Sequence, residues 1–328
     1  MTVFVAALGL ALAACTQDLP FNTLDPAGPV ARKEADLYWL VFWIAAVVFV
    51  LVEGMLVFAL FRFRRRSAEQ TPRQVHGNTR LEIVWTILPA LLLAGVAVPT
   101  VGTIFDLARR PGGDVLDVHV TGHQWWWEVE YPDLQVTTAN EIHVPTDRPI
   151  ALTLTSDDVI HSFSVPRLAG KQDLIPGHTN TLYLEAPAAG TYLGQCQEYC
   201  GFSHANMHFR VIAQDPADFD AWADLQLQPA AQPGGGLEEE GMGYFAHGQC
   251  IGCHTINGVE NAVATVGPNL THVGGRETIA AGLLEMTEGD LARWLRNPPG
   301  VKPGSKMPNY HLTDEQIDAL VAYLMSLT

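Results

Sequence analysis

Residues 37–61 run LYWLVFWIAAVVFVLVEGMLVFALF, and residues 81–105 run LEIVWTILPALLLAGVAVPTVGTIF; each stretch holds a single charged side chain, Glu53 and Glu82. At a helical rise of about 1.5 Å per residue, either run is long enough to cross a hydrocarbon core of about 30 Å with some tilt. Pro89 and Pro99 are tolerable in a membrane helix, where neighbouring groups re-satisfy the freed backbone. The competing reading, two buried core helices of a soluble protein, is disfavoured by the length of the runs. Glu53 lies well inside the first span, where a charge costs about 2.5–3.5 kcal/mol on insertion scales, so it should face protein rather than lipid.

The connecting loop, residues 62–80, carries Arg62, Arg64, Arg65, Arg66, Arg73 and Arg80 against Glu69 alone. Such an arginine excess in a short loop places it in the cytoplasm and both flanks outside, with Arg109 and Arg110 opposing weakly. Residues 3–14 are apolar, too short to span and end in small residues, the pattern of a signal peptide, although the usual basic start is missing. The stretch LAAC, ending at Cys15, resembles a bacterial lipoprotein box whose cysteine is lipidated after cleavage; the alternative is a cut elsewhere that discards Cys15. The expected location is the bacterial plasma (inner) membrane, with most of the chain on the periplasmic side. The net charge is −16 over 328 residues, and it is larger still outside the arginine loop. That balance argues against a nucleic-acid partner.

Residues 113–213 alternate short apolar-patterned segments with Pro, Gly, Asn and Asp breaks, as in an antiparallel sandwich or barrel. FDAWADLQLQ reads as a brief helix and PAAQPGGG (residues 229–236) as a linker, so residues 214–240 form a connection. Residues 241–328 switch to helical patterning: TEGDLARWLRNP is a helix stopped by proline, and LTDEQIDALVAYLMSL opens with a capping box of Thr313 and Gln316. The expected architecture is multi-domain. A signal peptide (1–14) and an extracytoplasmic segment (15–36) precede a two-helix transmembrane hairpin (37–61 and 81–105), then an all-β sandwich and a small all-α domain.

Two of the five cysteines fall in CQEYCGFSHANM, residues 196–207, with the spacing C-x3-C-x3-H-x2-M. Thiolate and thioether select soft metals, chiefly copper, and imidazole is compatible with it. His161 is distant in sequence, but a strand sandwich can bring it beside the loop. A disulfide between Cys196 and Cys200 is reasonable outside the cell, yet it leaves His161, His204 and Met207 without a role. Zinc could take Cys2His2, but it has no use for Met207.

This segment resembles subunit II of the haem–copper cytochrome c oxidases, whose pattern C-x-E-x-C-x3-H-x2-M is matched at Cys196, Glu198, Cys200, His204 and Met207, with the upstream histidine at His161. The resemblance implies a cupredoxin-like sandwich holding the binuclear copper centre CuA. Both sulfurs would bridge the coppers, His161 and His204 would be terminal, and Met207 and the Glu198 carbonyl would be weaker ligands. It also implies that the Glu198 carboxylate reaches a Mg2+ or Mn2+ shared with subunit I. Trp125, the first tryptophan of GHQWWWEVEYP, would receive electrons. Trp126 and Val129 stand where tyrosines are commoner, and Trp126 reads as packing, since alternate residues of a strand face opposite sides. Glu82 on its own is a solvated helix-end carboxylate; the resemblance makes it the opening of a proton pathway into subunit I. His178 stands where arginine is usual, which removes the basis for any role carried by that arginine. Glu53 is given no function.

CIGCH, residues 250–254, is the c-type haem attachment signature: Cys250 and Cys253 form thioethers and His254 ligates the iron. A lone C-x-x-C-H also serves zinc or redox chemistry, but an exported helical domain with a methionine downstream favours haem c. Met307 in GSKMPNY, which resembles the distal loop of small cytochromes c, is the expected sixth ligand, and Met286 reads as core. Histidine–methionine ligation raises the haem potential. The resemblance implies the electron-transfer subunit of an oxidase and translocase that reduces oxygen in subunit I. Electrons from an external donor, a cytochrome or an upstream respiratory complex, would pass through haem c to CuA; subunit III is a further expected partner. The alternatives are the CuA subunit of a nitrogen-oxide reductase and a stand-alone membrane-tethered carrier.

Overall fold

The computed structural model describes residues 19–65, 67, 74 and 77–328. The signal-peptide and lipoprotein readings, with Cys15, lie outside the described residues, as do Arg66, Glu69 and Arg73 of the loop. The chain divides into two compact units, one of them Arg32–Arg109 and the other joining the preceding residues to Arg110–Thr328.

The first unit is built on α1 (Pro29–Arg62) and α2 (Thr79–Leu107), both long and apolar enough to cross a membrane. Their large apolar side chains are exposed along the length, Phe49, Leu60 and Val98 among them, the surface expected of helices whose solvent is lipid. The Asn78 side chain accepts the amides of Arg80 and Leu81 at 3.1 and 3.3 Å, satisfying donors that a helix start leaves orphaned. Glu82 sits in that first turn. Lys33 and Asp106 join the two helices as an ion pair.

In the second unit ten strands come first: β1 (Leu116–His123), β2 (Trp126–Tyr131), β3 (Val136–Ala139), β4 (Glu141–Pro145), β5 (Ile150–Ser156), β6 (His161–Ser164), β7 (Lys171–Leu174), β8 (Asn180–Leu184), β9 (Gly190–Cys196) and β10 (His208–Gln214). They form two five-stranded sheets, ordered β3-β2-β1-β5-β8 and β4-β10-β9-β6-β7, which is the cupredoxin-like sandwich expected. It is not wholly antiparallel: β1 pairs with β5 and β4 with β10 in parallel. Alternation of apolar residues decides which face of a strand is buried, not which neighbour the strand takes. Phe163 and Phe209 stack at 4.2 Å between centroids, and the fully buried Trp127 meets them edge-on at 6.0 and 5.3 Å. The packing tryptophan is therefore Trp127, whereas Trp126 is half-buried and stacks on His123 at 4.4 Å.

After α3 (Pro216–Gln226) come α4 (Leu237–His247), the short hairpin β11 (Thr278–Ile279) and β12 (Leu284–Glu285), α5 (Glu288–Arg296), α6 (Pro298–Val301) and α7 (Asp314–Ser326). Thr313 and Gln316 make the capping box of α7, at 3.3 and 3.0 Å, and α5 ends just before Pro298. The connection through residues 229–236 is irregular but not free, because Ala230 is buried and its amide donates to the Asn257 carbonyl at 2.8 Å.

Helices α4 and α7 cross at Gly241, where an added Cβ would lie 2.0 Å from the Ala319 carbonyl oxygen. The neighbour is backbone and cannot rotate away. Gly241→Val should destabilise the helical domain by at least the ~1–3 kcal/mol of ordinary overpacking, lowering its Tm by about 10 °C or more. Thermal unfolding followed by helical circular dichroism would show this.

Candidate functional site

The chain leaves β9 at Cys196 and returns to β10 just after Met207, whose carbonyl accepts the Cys196 amide at 2.9 Å. The intervening loop is thus closed by the sheet's own ladder and tied to β6 by Gln197, whose amide donates to the Ser162 carbonyl at 3.0 Å. Pairing of β6 with β9 brings the fully buried His161 to the loop.

The donor atoms converge in two halves. The Cys196 and Cys200 sulfurs are 3.9 Å apart, about twice the ~2.05 Å of a disulfide; all four cysteines among the described residues are free. His161 Nδ1 lies 4.0 Å and the Glu198 carbonyl oxygen 3.2 Å from the Cys196 sulfur. His204 Nδ1 lies 3.7 Å and the Met207 sulfur 3.8 Å from the Cys200 sulfur. The Cys200 hydrogen bond and the His161 contact pull the Cys196 thiol well below its ordinary range, while the same neighbouring sulfur pushes Cys200 up. Two thiolates here need positive charge between them, and the donor set of two sulfurs, each with its own imidazole, fits a soft binuclear metal centre.

Asp158 was not singled out from the sequence, although it precedes His161 by three residues. It bonds the other ring nitrogen of His161, Nε2, at 2.9 Å. Burial raises the Asp158 pKa, but hydrogen bonds from His161, from the Gln124 and Val159 amides and from Lys306 outweigh it and leave the carboxyl at about 2. The Glu198 carboxylate is half-exposed and 3.8 Å from the Lys171 ammonium. His178 is exposed on a turn, its amide bonded to the Ile175 carbonyl.

In the helical domain, Cys250 opens a 3-10 turn to Gly252, and the amides of Cys253 and His254 both donate to the Cys250 carbonyl at 3.1 Å. His254 Nδ1 pairs with the Pro268 carbonyl at 2.8 Å, which leaves Nε2 to face a ligand. Cys250, Cys253 and His254 line one cavity with Met307, and Met286 does not belong to its lining. Two cations, Arg276 and Lys302, share the largely apolar walls, pushed down by burial to about 10 and about 7. A flat apolar ring carrying carboxylates fits such a lining. Nothing in the sequence around Arg276 or Lys302 distinguished them from surface charges.

Trp125 belongs to both places. Its indole N–H donates to the Cys200 carbonyl at 3.1 Å, and its ring lines the cavity that holds His254 and Met307. It is only 8% exposed, because the helical domain covers it. Glu82 lies in the helical-pair unit.

Three family descriptions match the chain in order: "Cytochrome C oxidase subunit II, transmembrane domain" over residues 17–102, "Cytochrome C oxidase subunit II, periplasmic domain" over residues 134–214, and "Cytochrome c" over residues 238–328. Cytochrome c oxidase subunit 2 of Alkalihalophilus pseudofirmus is 38% identical over 98% of this chain and 94% of its own length. That of Bacillus sp. PS3 is 41% identical over 98% and 95%, and that of Bacillus subtilis 35% over 100% and 97%. The periplasmic domain implies CuA copper and the C-terminal domain implies haem c. By identity carried over almost its whole length, and by donor sets suited to both cofactors, the chain belongs to the cytochrome c oxidase subunit II family, as a membrane protein with a periplasmic domain and a fused cytochrome c domain.

Proposed function

We propose that this chain is the electron-transfer subunit of a bacterial respiratory oxidase, set in the inner membrane with its arginine loop in the cytoplasm. When bound, haem c and CuA would supply one-electron redox chemistry, and the chain would carry electrons from a cytochrome or an upstream respiratory complex towards subunit I, where oxygen is reduced to water. The observation that carries this reading is the double contact of Trp125, with the Cys200 backbone on one side and the haem cavity on the other.

The chain's own residues divide the work. Cys196, Cys200, His161 and His204 would hold the copper centre, with Met207 and the Glu198 carbonyl as weaker donors. Asp158 orients His161 by engaging Nε2, so that Nδ1 faces the metal; such outer partners fix the ring and its tautomer. The Pro268 carbonyl does the same for His254 through Nδ1. Cys250 and Cys253 would attach the haem, His254 and Met307 would ligate its iron, and Arg276 and Lys302 would offer charge to its carboxylates. The half-exposed Glu198 carboxylate would bind a Mg2+ or Mn2+ shared with subunit I. Glu82 receives protons for subunit I, subunit III completes the assembly, and residues 1–14 and Cys15 act as signal and lipid anchor.

Replacing Cys196 or Cys200 by serine should abolish the mixed-valence EPR signal of CuA while the haem bands persist. One copper per chain in the wild type, or zinc, would defeat the ligand assignment. Met307→Ala should leave the haem attached but lower its potential by on the order of 0.1 V or more, within the ~0.8 V that axial ligands span; a persisting sulfur-to-iron absorption band would point to another ligand. Trp125→Phe keeps an aromatic side chain but shrinks the indole to a phenyl and removes the N–H bonded to the Cys200 carbonyl. It should slow haem-to-copper transfer after flash reduction with both metal spectra intact, and an unchanged rate would remove the role of Trp125.

A further inference from the structure

The surface of the sandwich next to the copper loop is occupied by the cytochrome domain, and the contact is made of buried, directional hydrogen bonds. Glu141 begins β4 and Arg210 lies opposite it in the parallel register of β10. Glu141 is 1% exposed. One of its carboxylate oxygens accepts the Thr278 amide at 2.8 Å and the Thr278 hydroxyl at 2.9 Å, and the other accepts the Glu277 amide at 3.1 Å. Arg210 reaches the same hairpin from beside it, with one guanidinium nitrogen 2.6 Å from the Glu277 carboxylate and the other 2.9 Å from that of Glu285. The His208 amide, next to Met207, donates to the Ala281 carbonyl at the hairpin tip at 3.0 Å.

A second set of contacts holds the loop before Met307. The Lys302 ammonium is buried and donates to the Trp125 carbonyl at 2.6 Å and the Ala280 carbonyl at 2.8 Å. Ser203 donates to the Pro303 carbonyl at 2.5 Å, and Lys306 pairs with Asp158 at 3.2 Å. Gly304, at φ +81°, lies against the indole: a Cβ there would come within 2.6 Å of the Trp125 ring. Transient encounters between electron carriers use exposed, wet, weakly directional contacts. Here a carboxylate and an ammonium are both taken out of water and both read backbone groups across the contact, which specifies one register, and the Glu141 carboxylate keeps its three hydrogen bonds only while the domains stay together.

We infer that the hairpin of residues 277–285 is a docking element, clasped by Glu141 and Arg210, that seats the cytochrome domain permanently over Trp125. The domain is not a shuttle swinging on its connection. The Trp125 face is thereby closed to any second electron-carrier protein, and an external donor must deliver to the cytochrome domain itself. This rests on the proposed relay for its functional meaning, but the clasp is a structural statement that can be tested without it.

The test uses the full-length holoprotein within its purified complex. Hydrogen exchange read by mass spectrometry should show the Glu277 and Thr278 amides protected to the degree of β10. In Glu141→Gln, which turns one acceptor oxygen into a donor facing donors, their exchange should accelerate by about tenfold or more, with the Val211 amide in β10 unchanged. Thr278→Val, which deletes one donor and keeps the shape, should give a smaller change in the same direction and serves if the glutamine variant does not fold. Flash-initiated haem-to-copper transfer should be independent of solvent viscosity in the wild type and become viscosity-dependent in the variants. Wild-type amides that exchange as fast as exposed loops, or a viscosity-dependent wild-type rate, would overturn the clasp. Protected amides without any haem-to-copper transfer would uphold the clasp and defeat the relay instead.

Discussion

Two sulfurs held 3.9 Å apart inside a protein cannot both carry charge unless a cation lies between them, and much of the surrounding architecture serves that requirement. The loop is too short to adopt the arrangement by itself. Its two ends are tied together by the Cys196–Met207 rung and its flank is tied to Ser162, so the positions of both thiols are set by the sheet. The imidazole beside Cys196 arrives from a different strand, with its far nitrogen held by Asp158. A relay centre benefits from such rigidity, because donors that do not move between redox states add little reorganisation to each transfer.

The same loop also organises the contact with the cytochrome domain. The Cys200 carbonyl accepts both the Gln124 side-chain amide and the Trp125 indole, at 2.7 and 3.1 Å, so the copper loop positions the aromatic ring that faces the haem cavity. Lys302 then binds the carbonyl of that same tryptophan. Asp158 likewise looks both ways, to His161 in the sandwich and to Lys306 in the cytochrome domain. Each of these groups serves the metal loop and the domain contact together, which is why the two domains behave as one compact unit.

Local chemistry was readable along the chain wherever neighbouring residues were enough. The apolar runs, the Cys196–Met207 cluster, the Cys250–His254 signature and the Thr313–Gln316 cap are short-range patterns, and each appears where its spacing implies. His161 could be named only because its type suits the cluster; its placement 35 residues away depends on β6 lying beside β9. Trp126, read as packing, is half-buried against His123, while alternation within β2 also puts Trp127 in the core, a position not singled out from the sequence. The parallel pairings of β1 with β5 and of β4 with β10 were equally out of reach, because periodicity reports a face and not a partner.

Taken alone, the sequence determined the class of protein: two spans, a soft-metal cluster in a strand domain and a haem-attachment signature in a helical one. These follow from composition and spacing within single segments, where the ligand types and the hydrophobic period act directly. What the tertiary structure alone decided is the relation between those segments. Glu141, Arg210, Lys302 and Asp158 read as ordinary charges in the chain, and they acquire meaning only through partners up to 177 residues away. A connection rich in glycine and proline looks like a free tether in sequence. In the fold it is anchored at its start, where the buried Ala230 donates its amide to the Asn257 carbonyl, because burial and backbone hydrogen bonding are properties of the assembled surfaces, which no local window contains.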